Sequence, residues 1–147
     1  MVEQLQLVSP LAALVLFAVW AMLLVITIGT WRFTQFLTGT VPKGGFNPGA
    51  PHGSDAYWRV NRAHLNAVEN LPIFATMVLT GVALNVDAAS FQLLANVVLL
   101  ARVAQSLVHI SSGAPLAVLI RFSFYLVQVF SMLAMAAIML PATGFLR

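Results

Sequence analysis

The run LAALVLFAVWAMLLVITI, residues 11–28, decides the fold class because it contains no charged side chain. The nearest charges are Glu3 and Arg32, so the uncharged stretch exceeds the roughly 20 residues that a helix needs to cross a bilayer. Trp31 and Arg32 close the run with an aromatic and a cation, a pair typical of a membrane interface. The run is too long for a signal peptide, and Glu3 replaces the usual basic start. We therefore predict a permanent first transmembrane helix.

The composition of all 147 residues extends this interpretation to the whole chain. Hydrophobic residues make up 61% of it and charged residues 7%, whereas a soluble domain carries roughly 25% charged residues. So few charges cannot cover a water-facing surface. The formal charge of +3 comes from scattered basic residues, which argues against nucleic-acid binding. Because the chain has no cysteine, disulfides, thiolate metal sites and a cysteine nucleophile are excluded, and no metal is expected.

Turn-forming residues divide the rest of the chain into three further helices. Residues 38–54 are too rich in glycine and proline for a helix and predict a loop. The predicted spans beyond it are residues 57–85, 88–110 and 116–140. No internal repeat or second domain is evident. We therefore predict one domain over residues 1–147, an all-α integral membrane protein built as a four-transmembrane-helix bundle.

Individual residues predict how these helices begin, bend and end. Ser54 or Asp55 is suited to the N-cap of the second helix, and Asp87 to that of the third. Pro72 lies inside the second helix and predicts a kink, because it lacks a backbone N–H. Pro141 predicts the end of the fourth helix.

The basic residues predict the orientation in the membrane. Arg32, Lys43 and Arg59 lie in or beside the first loop. Arg121 closely follows the third loop, whereas the second loop holds only Asp87. Because cytoplasmic loops carry an excess of lysine and arginine, we predict that loops one and three lie in the cytoplasm and both termini outside. The expected location is a bacterial inner membrane.

Three of the four predicted helices carry a polar stripe on an otherwise apolar cylinder. Within each stripe the residues repeat at helical spacing, which places them on one face. The stripes are Arg62, Asn66 and Glu69 on the second helix, Arg102, Gln105 and His109 on the third, and Arg121, Tyr125 and Gln128 on the fourth. A charge at the bilayer centre costs about 2.5–3.5 kcal/mol, so the stripes must face one another, a neighbouring subunit or a wet cavity.

The charges of the stripes favour a binding site over a purely architectural role. An Arg62–Glu69 pair alone would serve equally well to hold helices in register, and interhelical hydrogen bonds would equally explain the amides. Tyr125 and His109, taken singly, fit interface anchors. None of these roles explains three arginines against one glutamate. Such an excess suits an anionic ligand with carboxylates, or a developing thiolate.

Residues 59–74, RVNRAHLNAVENLPIF, carry a family resemblance. They are similar to the second-helix signature of the MAPEG proteins, the membrane-associated proteins in eicosanoid and glutathione metabolism. The run RAHLNAVEN looks most like the microsomal glutathione transferases. The run ARVA at residues 101–104 resembles the family's third-helix motif, and Arg121 with Tyr125 four residues later resembles its fourth-helix motif. The first helix matches only as a hydrophobic span.

The resemblance implies a homotrimer of four-helix subunits that binds glutathione between neighbours, near the cytoplasmic face. The residues that would bind glutathione or line its site are Arg62, Asn66, Glu69, Arg102 and Tyr125. Arg121 would lie beside the sulfur and stabilise the thiolate. Relatives that act on prostaglandin endoperoxides have a serine directly after this arginine. The present chain has Phe122 there, which argues against prostaglandin synthesis.

The predicted function is that of a glutathione-dependent membrane transferase. The sequence leaves open whether the protein also has peroxidase activity. It would conjugate glutathione, its co-substrate, to hydrophobic electrophiles that partition into the bilayer. Two alternatives remain. A non-catalytic trimer would hold glutathione or a lipid without turnover. A small multidrug transporter also has four helices, but such exporters resemble one another in an essential glutamate in helix one, and this first helix has no ionisable residue within its span.

Overall fold

Four long α-helices make up most of the computed structural model, which describes residues 7–47 and 51–144. The helices are α1 (Pro10–Leu37), α2 (Asp55–Ala83), α3 (Ala89–Ser111) and α4 (Pro115–Met139), and a short 3₁₀ helix (Leu140–Thr143) follows α4. All four are long and apolar enough to cross a membrane. The prediction of a four-helix transmembrane chain is thus confirmed. The outer ends of the predicted domain, including Glu3, and residues 48–50 of the loop lie outside the described residues.

The first helix is longer than its uncharged run. It begins at Pro10 behind the N-cap Ser9, whose Oγ accepts a hydrogen bond from Ala12 N at 3.2 Å. It continues past Trp31 and Arg32 to Leu37. The prediction that this pair closes the helix is therefore wrong, because neither residue interrupts backbone hydrogen bonding. The helix ends just before the first residue of positive φ, Gly39 at +67°.

The two predicted caps have opposite outcomes. Ser54 is the N-cap of α2, and its Oγ accepts a hydrogen bond from Tyr57 N at 3.2 Å. For α3 the prediction of an Asp87 cap is wrong, since the N-cap is Ala88 and no side chain caps the helix. The preceding turn passes through Asn85 in the left-handed region, with φ +53°. That turn shifts the helix start by one residue and leaves Asp87 outside the cap position.

Small residues at the helix contacts allow the aromatic core to close. Phe17, Phe74 and Phe91 are fully buried among alanines of α1, α2 and α3. At Gly81 an added Cβ would overlap the buried Phe91 ring, so the ring keeps its present position only with glycine there. Small residues have the same function in transmembrane helix packing generally. α3 packs most extensively against α4, α2 and α4 contact each other only slightly, and the described parts of α1 and α4 do not contact each other.

Loop one is attached to the end of α1 by an aromatic cluster. The Trp31 and Tyr57 rings stack with centroids 3.9 Å apart. Arg32 Nε donates a hydrogen bond of 2.7 Å to the Tyr57 hydroxyl. Gly53, at φ +74°, lies so close to Trp31 that a Cβ would come within 2.4 Å of its ring. Trp31 and Arg32, the pair predicted to lie at the membrane interface, therefore also hold loop one against the bundle.

Candidate functional site

All six predicted site residues line a single cavity of about 270 Å³. They are Arg62, Asn66 and Glu69 of α2, Arg102 of α3, and Arg121 and Tyr125 of α4. Asn70, Gln105, His109 and Phe122 complete the lining. The cavity lies toward the start of α2, the end of α3 and the start of α4, which is the end of the bundle that carries loops one and three. Their arrangement around one cavity is observed, while their binding of glutathione stays a prediction.

The α2 side of the cavity is open. Arg62 and Glu69 are exposed on the outer surface of the chain, and Asn66 between them is half-buried. Among the described residues no hydrogen bond or ion pair joins Arg62 to Glu69. The register-holding pair considered from the sequence is therefore not formed within one chain. Asn66 Nδ2 lies 3.5 Å from Nδ1 of His109, at the limit of a hydrogen bond.

Arg102 supplies the inner wall of the cavity. Its side chain is 1% exposed, and its Nε and Nη2 atoms are buried without a hydrogen-bond partner in the described chain. The guanidinium carbon lies 5.6 Å from the centroid of the Phe17 ring on α1, which is within the range of a cation–π contact. A buried, unpaired charge is strongly unfavourable. Glu69 acts on this charge electrostatically but forms no hydrogen bond or ion pair with it, so a directly bonded counter-charge is left for a ligand to supply.

Arg121 is fixed in place through its backbone. Gln105 Nε2 donates a hydrogen bond of 3.1 Å to Arg121 O, and Gln128 Nε2 donates one of 3.0 Å to Gln105 Oε1. Gln128 is fully buried and does not line the cavity. For these two glutamines the interhelical hydrogen-bonding interpretation is therefore confirmed, although Gln105 also reaches the cavity wall. The pair holds α4 in register with α3 beside Arg121.

Arg59, which the sequence analysis used only for topology, connects two helices near the cavity without lining it. Its Nε donates a hydrogen bond of 2.9 Å to the carbonyl of Ile110. That carbonyl belongs to the last turn of α3, where backbone acceptors lack helical partners. The bond ties the start of α2 to the end of α3, next to His109. The local sequence around Arg59 does not predict this contact, because the partner lies on another helix.

Sequence reasoning missed three further contributors. Asn70 and Phe122 line the cavity, and Phe17 backs Arg102. Asn70 follows Asn66 by one helical turn, and Asn70 Nδ2 donates to Asn66 O at 2.9 Å, so helical spacing could have included it. Phe17 lies within the uniform apolar run of helix one and carries no comparable signal.

The fixed charges of the cavity sum to +2. Three guanidiniums, from Arg62, Arg102 and Arg121, face the single carboxylate of Glu69. Guanidinium groups bind carboxylates through paired N–H donors. A net positive lining of this kind suits an anionic organic ligand and repels a metal cation.

One comparison with known proteins identifies the family. The family model described as MAPEG family matches residues 10–140, which include all the cavity-lining residues. No curated protein and no solved structure gives a significant match. The family match agrees with the resemblance seen in residues 59–74. The chain therefore belongs to the MAPEG family.

Proposed function

We propose that the protein is a glutathione transferase of the membrane, which joins the glutathione thiolate to hydrophobic electrophiles. The observation that carries the proposal is the cavity itself, in which three arginines and one glutamate meet inside a membrane-spanning bundle. Membership of the MAPEG family supports the same ligand, because the family is associated with glutathione.

Charge complementarity supports glutathione as the ligand. Glutathione carries two carboxylates and one ammonium group, so its form with an ionised thiol has a net charge of −2. The cavity has three arginines and one glutamate, a net charge of +2. In this proposal Arg62 and Arg102 bind the carboxylates through paired N–H donors, and Glu69 accepts from the ammonium. Asn66 and Tyr125 contribute neutral hydrogen-bonding groups.

Arg121 has the catalytic role in this proposal. The thiolate is the nucleophile, and a free thiol near its ordinary pKa is mostly protonated at neutral pH. A guanidinium held close to the sulfur stabilises the charged form, and each unit by which the thiol pKa falls corresponds to about 1.36 kcal/mol. Arginine suits the task because it stays protonated in a poorly hydrated site. Its backbone bond from Gln105 limits how far α4 can move.

We also propose that the working unit is a homotrimer. Glu69 lies about 21 Å along α2 from its start at Asp55, at roughly 1.5 Å per residue. At that depth an exposed carboxylate facing lipid would be unfavourable. A second copy of the chain, covering the open side of the cavity, removes this exposure, and the family resemblance gives the number three. In the proposed topology the cavity end faces the cytoplasm of a bacterial inner membrane.

Calorimetry and turnover together test the proposal. The purified protein in detergent is titrated with glutathione, and conjugation to an aryl halide is then measured. Lys43→Met is the matched control for Arg62→Met, because Lys43 is a cation of loop one outside the cavity. The transferase proposal is supported if wild type and Lys43→Met both bind glutathione and turn over, while Arg62→Met does neither. Binding without turnover identifies a non-catalytic binder, and absence of binding contradicts the proposal.

A further inference from the structure

His109 lines the polar cavity but has no task in the proposed function. It belongs to the last turn of α3, two residues before the helix ends at Ser111. Its side chain is half-buried. The imidazole therefore lies at the cavity wall, close to the end of the bundle that carries loops one and three and meets water.

The chemistry of His109 differs from that of its neighbours in the cavity. The guanidiniums are fixed cations that only donate, and the amides and the Tyr125 hydroxyl are not bases at neutral pH. Glu69 is a base, but the proposed function engages its carboxylate with the ammonium of the ligand. Among the described side chains that line the cavity, the imidazole is thus the group left to take up and release a proton near neutral pH. Arginine can stabilise a thiolate, but another group must receive the proton that the thiol gives up.

The Nδ1 atom of His109 faces the α2 wall of the cavity. It lies 3.5 Å from Nδ2 of Asn66, a residue proposed to bind glutathione, at the limit of a hydrogen bond. Because an amide nitrogen can only donate, Nδ1 offers its lone pair in this direction. The contact is so long that the S–H group of a ligand, coming closer, can replace it.

His109 and Arg121 approach each other across the contact between α3 and α4. Gln105, one turn before His109, donates its hydrogen bond to Arg121 O, so these turns lie at the same level. Helical side chains lean toward the N-terminus of their helix, and α4 returns antiparallel to α3, so Arg121 leans toward the level of His109. The charges that act on the imidazole are those of Arg121 on α4, most strongly, and of Arg62 and Arg59 on α2. These cations repel a further positive charge, so a proton taken up by His109 does not stay there.

We propose that His109 receives the proton of the glutathione thiol and passes it to water at the end of α3. The inference rests on the proposed transferase function and adds a second catalytic residue to Arg121. In the first step the S–H bond breaks, its electron pair stays on the sulfur as the thiolate, and the proton forms an N–H bond with the imidazole. In the second step the imidazolium gives a proton to water and becomes neutral again. His109 thus sets how fast the thiolate forms, whereas Arg121 sets how much of it is present at equilibrium.

Stopped-flow absorbance tests this division of roles. The purified protein in detergent is mixed with glutathione in weak buffer at neutral pH, and the rate and the final amount of thiolate are recorded. His109→Gln keeps a side chain that can bond to Asn66 but is not a base. We expect its rate of thiolate formation to fall about a hundredfold, as when a general base is removed, while glutathione affinity and the final amount of thiolate stay at wild-type values. His52→Gln, the matched control, replaces a histidine of loop one outside the cavity lining and should match wild type.

A second variant separates proton transfer from a structural role. His109→Ala leaves space at the cavity wall, and added imidazole should restore its rate of thiolate formation. Triazole, a ring of the same size and weaker basicity, should restore the rate less. A purely structural role of His109 predicts that neither ring restores it, because neither repairs the fold by virtue of its basicity.

Three results would overturn the inference. A wild-type rate in His109→Gln would show that the proton leaves by another route. A slow rate in His109→Ala that neither ring restores, or loss of the oligomer in both variants by size-exclusion chromatography, would assign His109 to the structure. A smaller final amount of thiolate at an unchanged rate would make His109 a stabiliser of the thiolate and not its base. If the wild type itself forms no thiolate, the proposed function fails too, so that failure is distinct from one confined to the His109 variants.

Discussion

The two halves of α3 hold their polar side chains in contrasting ways. Near its start, Asn96 is 7% exposed, and it accepts a hydrogen bond from Val8 N at 3.2 Å and donates one to Val8 O at 2.8 Å. Farther along, Arg102 is 1% exposed, but two of its nitrogens have no partner in the described chain. Asn96 thus attaches the segment before α1 to the bundle. The comparison teaches that burial alone does not mark a site, whereas a buried cation at a cavity wall without a hydrogen-bond partner points to one.

The largest expected effect comes from Arg102→Met. This substitution keeps the volume roughly constant and removes a buried charge, so the stability of the protein without ligand should be unchanged or higher, by up to about 4 kcal/mol. Glutathione affinity should fall by about 2–5 kcal/mol, because a ligand carboxylate loses its charged partner. Thermal unfolding in detergent and calorimetry measure the two effects. A large loss of stability would mean that Arg102 supports the fold and not the site.

The opposite pattern is expected for Asn96→Leu. Val8 N loses its partner, whereas Val8 O keeps the bond that Gln92 Nε2 donates to it at 3.2 Å. Leaving a polar group of the interior unsatisfied costs about 1–3 kcal/mol. The unfolding midpoint should therefore fall, while glutathione affinity stays at the wild-type value. The same two measurements apply, so Arg102→Met and Asn96→Leu serve as controls for each other. A parallel change of affinity in Asn96→Leu would show that the two halves of α3 are not independent.

A smaller effect is expected for Glu69→Gln, which keeps the shape of the side chain and removes its charge. Affinity for glutathione should fall about tenfold, or about 1.4 kcal/mol, because the ammonium loses a charge-assisted hydrogen bond. Calorimetry beside size-exclusion chromatography measures both binding and assembly. If the oligomer dissociates instead, Glu69 holds subunits together. Unchanged affinity in an intact oligomer would remove Glu69 from the site.

Much of the fold and the lining of the site follow from local sequence patterns. The uncharged run at residues 11–28 and the spacing of Arg62, Asn66 and Glu69 each depend on one helix, so they could be predicted directly. A cavity was one of the arrangements that these patterns allowed, because charged stripes on three membrane-spanning helices must face one another, a neighbouring subunit or a wet cavity.

Apart from Asn70, which follows Asn66 by one turn of the same helix, the features missed from the sequence depend on contacts between helices. Phe17 behind Arg102 and the bond from Arg59 to Ile110 require knowledge of how α1, α2 and α3 are rotated about their axes. Gln128 shares helical spacing with Arg121 and Tyr125, yet it turns into the contact with α3. The Asp87 cap failed for a local reason, the left-handed turn at Asn85.

The most direct test of the account measures the ultraviolet absorbance of bound glutathione thiolate as a function of pH. Arg121→Leu is compared with wild type and with Ser123→Ala, an exposed residue of the same turn that does not line the cavity. We predict that Arg121→Leu keeps most of its glutathione affinity but loses the thiolate signal at neutral pH, and with it turnover. Arg121→Lys should be intermediate, and Ser123→Ala should match wild type. Thiolate formation by Arg121→Leu at the wild-type pH midpoint, in an intact oligomer, would contradict the account.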